Sequence, residues 1–119
     1  MHYVNATVLN ASDATSQTGS SIDSNQLIAA SFQLYFTDGT ADGSFEIQAS
    51  NDLTPLGNFA LNFTPSNWTT IPNTMTTVTA GSTGLVTLSV SAYRFLRVVY
   101  TSTTPGTGNV VVNMFGLSN

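Results

Sequence analysis

The chain has 119 residues, 41% of them hydrophobic and only 7% charged, with two arginines, six acidic residues, one histidine, no cysteine and a net charge of −4. That length makes one domain able to bury its own core. The missing cysteines exclude disulfide staples and thiol nucleophiles, the lone His2 leaves no imidazole for a triad, and two arginines make no phosphate-binding patch, so neither nucleic acid nor an anionic membrane is an expected partner.

Residues 2–9, HYVNATVL, alternate with period two and predict a strand with Val4, Ala6 and Val8 on one face and Asn5 and Thr7 on the other. Residues 10–25 are a polar Ser/Thr/Asp stretch with Ile22 as the one anchor, read as a long loop. The opening segment lacks the basic and apolar regions of a signal peptide, and no apolar run approaches the roughly 18 residues of a membrane span.

LIAASFQLYF, 27–36, predicts a strand with Ile28, Ala30, Phe32, Leu34 and Phe36 on the core face. The Asp38-Gly39 to Asp42-Gly43 turn leads into SFEIQAS, 44–50, with Phe45, Ile47 and Ala49 inward, so the two strands read as a hairpin. FALNF, 59–63, follows as a further strand, then NWTTI at 67–71 and TMTTVTA at 74–80, split by Pro72. LVTLSVS at 85–91, YRFLRVVYT at 93–101 and NVVVNMF at 109–115 close the chain. Eight to nine short strands, frequent turn signals and a Thr/Ser/Asn-rich composition poor in helix formers predict an antiparallel β-sandwich or jelly roll. One domain over 1–119 is expected, with residues 1–25 as an N-terminal strand plus polar loop that could serve attachment.

Few residues offer chemistry. Asp38 and Asp42, with their glycines, are weak candidates for a Ca²⁺ site, against the plainer reading as turn residues. Asp13, Asp23 and Asp52 are scattered through loops, and nothing pairs two carboxylates for glycoside hydrolysis. Arg94 and Arg97 are expected to meet carboxylates such as Glu46 or Asp52. Trp68 and Tyr93 are weak candidates for stacking on a sugar. The 93–101 stretch is apolar on both faces, so its outer face should be covered by a loop of this chain or by another chain. Leu96, Val98 and Tyr100 are the first candidates for an oligomer contact.

The order SSIDSNQLIAASFQLYFTDGTADGSFEIQASND, NWTTIP, YRFLRVVYTSTTPGTGNVVVNMFG resembles the discoidin-like (F5/8 type C-like) β-sandwich modules of bacteriophage virion proteins. The resemblance covers about residues 20–117. It implies that Gln48 to Asp52 end a strand and bond neighbouring loops as a feature of the fold, not as a catalytic edge. It implies a structural virion protein, most simply a capsid decoration or minor capsid protein, with no enzyme activity and no cofactor. Its partners would be the major capsid protein or further copies of itself in a homo-oligomer. It would be made in the bacterial host cytoplasm and sit on the particle exterior. The alternative is a carbohydrate-binding adhesion module of a tail or head fibre, with a host-surface glycan as partner.

Overall fold

The computed structural model describes residues 2–24, 27–53, 64–90 and 92–118. The FALNF strand expected at 59–63 lies outside these residues. The described chain is all β: β1 (His2–Ser12), β2 (Gln17–Thr18), β3 (Ile22–Asp23), β4 (Leu27–Phe36), β5 (Asp42–Ser50), β6 (Thr69–Thr70), β7 (Thr76–Val78), β8 (Gly84–Ser89), β9 (Phe95–Thr104) and β10 (Asn109–Ser118). One antiparallel sheet runs β1-β10-β4-β8. The other runs β2-β9-β5-β6, with β3 also on β9 and β7 also on β5. The two sheets pack as a β-sandwich, as the alternation of short strands predicts.

The pairing is nested. β1 lies on β10, β2 and β3 on β9, β4 on β8, and β5 on β6 and β7. Each strand of the first half of the chain therefore meets a strand of the second half, in reverse order. The core between the sheets holds Phe32, Leu34, Phe45, Ile47, Leu96, Val98, Tyr100, Val110 and Val112, each at most 1% exposed. Removing a Phe or Leu side chain of this kind from water is worth roughly 1.5–3 kcal/mol.

Two expectations are corrected. The 27–36 and 44–50 strands do not form a hairpin, because β4 and β5 belong to opposite sheets. The Asp/Gly connection carries the chain across the sandwich instead. The strand expected at 2–9 is present in β1, with His2–Thr7 exposed on both faces. β1 is an edge strand, and only from Val8 onward does it pack against the core, after a register shift between Thr7 and Leu9 that turns Leu9 inward. The second correction concerns Leu96, Val98 and Tyr100. All three are fully buried between the sheets, so none can form an oligomer contact.

Of the two covers expected for the outer face of 93–101, the structure shows the first, this chain itself. β9 is an interior strand, flanked by β2 and β3 on one side and by β5 on the other. Its outer residues are covered by this chain: Phe95 by the Arg94 guanidinium at 5.1 Å, and Arg97 by the Trp68 ring at 4.4 Å. The 10–25 stretch is also less irregular than its composition implies, since β1 extends to Ser12 and β2 and β3 add to the edge of β9.

Candidate functional site

The strand ends gather polar residues at two opposite ends of the sandwich. At one end β5 finishes in Ser50, and the chain continues through Asn51 and Asp52. Ser50 Oγ accepts the Asp52 amide at 3.2 Å, a local turn. Asn51 Oδ1 accepts the Arg94 amide at 2.9 Å. Asp52 Oδ2 accepts the amides of Ser66 and Asn67 at 2.8 and 3.1 Å, and its Oδ1 accepts Asn67 Nδ2 at 2.9 Å. The tetrad Ala49 to Asp52 thus fastens the start of β9 and the 64–68 segment.

Those bonds favour the ionised form of Asp52. The Ser66 amide first, then the Asn67 side chain and amide, hold its carboxyl below the ordinary value of 3.8. A depressed folded value contributes stability above the unfolded value, lost as the pH falls through the folded one. Carboxyl-detected NMR should give Asp52 a midpoint below 3.8, with the Ser66 and Asn67 amides losing exchange protection in the same acid range. In Asp52→Asn that acid step should vanish while the β9 core amides stay protected. An Asp52 midpoint at or above the ordinary value would refute the assignment.

A cleft of about 320 Å³ opens beside this tetrad, lined by Ala49, Asn51, Asn67, Thr69, Ile71 and Tyr93 among others. Ligand pockets run from about 300 to 1,000 Å³, so this one has room for a single small ring. Tyr93 supplies an aromatic wall, and the asparagines and threonines supply amide and hydroxyl groups. Trp68 stands outside the wall. Its indole Nε1 donates to Pro65 O at 3.1 Å, and one ring face is occupied by Arg97. Of the two sequence-predicted aromatics, then, only Tyr93 meets the cleft. Asn51 and Asn67 were not legible as lining residues, because their convergence depends on the 64–68 segment folding back on Asp52.

The arginines divide. Arg94 reaches a carboxylate as expected, that of Asp23 at 4.0 Å, though not Glu46 or Asp52. Arg97 Nε donates to Gln48 Oε1 at 2.8 Å. Glu46 instead accepts the Thr70 hydroxyl at 2.8 Å.

At the opposite end, the weak Ca²⁺ pair serves as loop ties. Asp38 Oδ2 accepts the Thr107 hydroxyl, and Asp42 Oδ1 accepts the Ala80 amide at 2.6 Å. Among the described residues no three His, Asp or Glu side chains cluster as a metal site. Asp13, grouped with the scattered loop acids by its sequence context, is fully buried here. Tyr100 OH donates to the Asp13 carbonyl at 3.1 Å. Burial above all pushes the Tyr100 phenol up from its ordinary 10.0.

No family model matches the chain, and no curated protein sequence matches it significantly. Among solved structures it is similar to the SPBc2 prophage-derived protein YomS, with a TM-score of 0.59, 11% sequence identity, and coverage of 98% of this chain and 94% of that one. At so low an identity the likeness speaks for the fold, which the two proteins share almost from end to end. The chain is thus an all-β sandwich with the overall fold of a prophage-derived protein.

Proposed function

We propose that the chain is a structural protein of a bacteriophage particle, a capsid decoration or minor capsid protein acting through protein–protein contacts and without chemistry of its own. The observation that carries this reading is the end-to-end likeness of its fold to that of a prophage-derived protein. The nested strand pairing supports reading the sandwich as a jelly roll, an architecture used by viral capsid and lectin domains. The motif order that resembles discoidin-like virion modules points the same way.

The exposed half of β1 is the surface for such contacts. Tyr3, 64% exposed, stacks on Phe115, 45% exposed, with ring centroids 5.3 Å apart, and Val4 is exposed beside them. An edge strand carrying an aromatic patch is suited to pair with another chain. The partner in this reading is the major capsid protein or a further copy, and the acidic, lysine-free surface belongs outside, away from packaged nucleic acid.

The test is mass spectrometry of gradient-purified particles from the phage that encodes the chain. With only two arginines and no lysine, trypsin cuts the chain too rarely, so chymotrypsin is the enzyme of choice. The expected result is many copies per particle and shells that lose resistance to heat or dilution when the gene is deleted. Particles devoid of the chain would end the proposal.

The cleft at Tyr93 favours a second reading, a glycan-binding adhesion module. Here a glycan array should show saturable binding that Tyr93→Ala abolishes and Trp68→Ala, off the cleft, leaves in place.

A further inference from the structure

The end of the sandwich opposite the cleft holds a carboxylate with no counterpart among the described residues. Asp13 is 0% exposed, and no described donor reaches either of its side-chain oxygens. Its position is fixed by its main chain. The Asp13 amide donates to Gly108 O at 3.1 Å, and its carbonyl accepts Tyr100 OH at 3.1 Å. The wall opposite is bare backbone: a Cβ on Gly106 would lie 2.8 and 2.9 Å from the two carboxylate oxygens and 2.8 Å from the Ala41 Cβ. Any other residue at 106 would fill the space in front of the carboxylate.

The chain has no cation to spend on this group. Its cationic side chains are two arginines and, in acid, His2. Arg94 reaches Asp23, and Arg97 lies on Gln48 and Trp68. His2 opens β1 while Asp13 follows its last residue, Ser12. At roughly 3.3 Å per residue that separates them by about 33 Å. An ionised carboxylate buried without partner or donor is not tolerated. A cation taken up from solution would compensate it.

We propose that Asp13 is the anchoring ligand of a Ca²⁺ site at this end of the sandwich. The available donors are all oxygen. The 37–41 and 105–108 loops meet here, since Thr37 N donates to Asn109 O at 2.9 Å and Asn109 N to Thr37 Oγ1 at 2.8 Å. Among the described residues no three His, Asp or Glu side chains cluster here, so the rest of the shell would have to come from main-chain oxygens of these loops and water. A set of one carboxylate, carbonyls and water suits Ca²⁺, which accepts 6–8 oxygens in flexible geometry, better than Mg²⁺, which holds its water, and excludes thiolate- or imidazole-seeking metals. The ion would tie the end of β1 to two loops that cross between the sheets. Asp38 and Asp42, singled out by the sequence, would stand beside the site as loop ties.

The test uses the full chain, stripped with chelator and melted with Ca²⁺, with Mg²⁺ and with neither. Tb³⁺ luminescence, sensitised by Tyr100, serves as a direct probe of binding. Ca²⁺ should raise the melting temperature by at least about 4 °C at saturation, Mg²⁺ far less, and Ca²⁺ should displace Tb³⁺. Asp13→Asn and Gly106→Ala should each abolish both responses, whereas Glu46→Gln, on the outer face of β5, should keep them. Should Asp13→Asn fail to fold, the wild-type Tb³⁺ titration and Gly106→Ala decide. No melting shift with Ca²⁺, no displaceable Tb³⁺, or a response unchanged in Asp13→Asn or Gly106→Ala would overturn the proposal.

Discussion

Val98→Asp should abolish cooperative folding. Val98 is fully buried, lies opposite Ile47 in the β9–β5 ladder and points between the sheets. The substitution removes an apolar side chain and leaves an anionic one with no donor. An unpaired charge in a core costs several kcal/mol even after relaxation, and the lost apolar burial adds to it. The sum, more than about 5 kcal/mol, approaches the 5–15 kcal/mol that holds a typical domain together. Thr101→Asp, at an exposed site on the same strand, should change stability by less than about 1 kcal/mol. Circular-dichroism melts of the two variants make the comparison. If Val98→Asp melted within a few degrees of the wild type, the placement of β9 between its neighbours would be wrong. The same pair separates a core residue from a surface contact, since a surface role for Val98 would cost assembly and spare the fold.

Tyr100→Ala should cost about 3–5 kcal/mol, the range for deleting a buried aromatic ring. Its ring meets Phe36 edge-on with centroids 5.9 Å apart, and it also lies over Gly43, where a Cβ would come within 2.5 Å of the ring. Gly43 is bare because the ring needs that room. Tyr100→Phe keeps the ring and loses the hydroxyl with its bond to the Asp13 carbonyl, which should cost about 1–2 kcal/mol. Urea denaturation of both variants separates packing from the hydrogen bond; equal losses would assign the whole effect to the hydroxyl. The raised phenol adds a pH signature. Because its folded value lies above 10.0, stability should be constant through neutral pH and fall as the pH rises above the unfolded value, where the unfolded state ionises first. Tyr100→Phe should flatten part of that alkaline decline.

Much of the fold was legible because period-two alternation survives burial of one face. Phe32 and Leu34 in β4, and Phe45 and Ile47 in β5, fall on the core face as their spacing predicts. The errors share a cause: local pattern carries no information about which sheet a strand joins. An Asp/Gly-rich connection looks the same whether it turns a hairpin or, as at 37–41, crosses between sheets. Apolar residues on both faces of 93–101 reported an interior strand with its own side-chain cover, which sequence cannot tell from an interface. Val4 and Ala6 alternate correctly, yet nothing packs over them, because the edge half of β1 runs free of the core. At the candidate cleft, Tyr93 was found through its aromatic type, while Asn51 and Asn67 are brought together by tertiary bonds. Asp13 could not be singled out, since one acid in a polar stretch gives no sign that it will be buried.

The nesting of β1 on β10 has a consequence for how the molecule comes into being. The outermost pair joins His2 to Ser118, residues 116 apart in the chain. A contact so distant carries the largest loop-closure cost, and topologies dominated by such contacts fold slowly, on the scale of milliseconds to seconds. During synthesis β1 emerges before β10, its ladder partner among the described residues, so closure of that pair must wait until β10 follows. Until then the aromatic edge stands open. The low charge of this chain offers little electrostatic protection during that wait, and the polar Ser/Thr/Asn residues interleaved along β1 are what keep the nascent edge in solution.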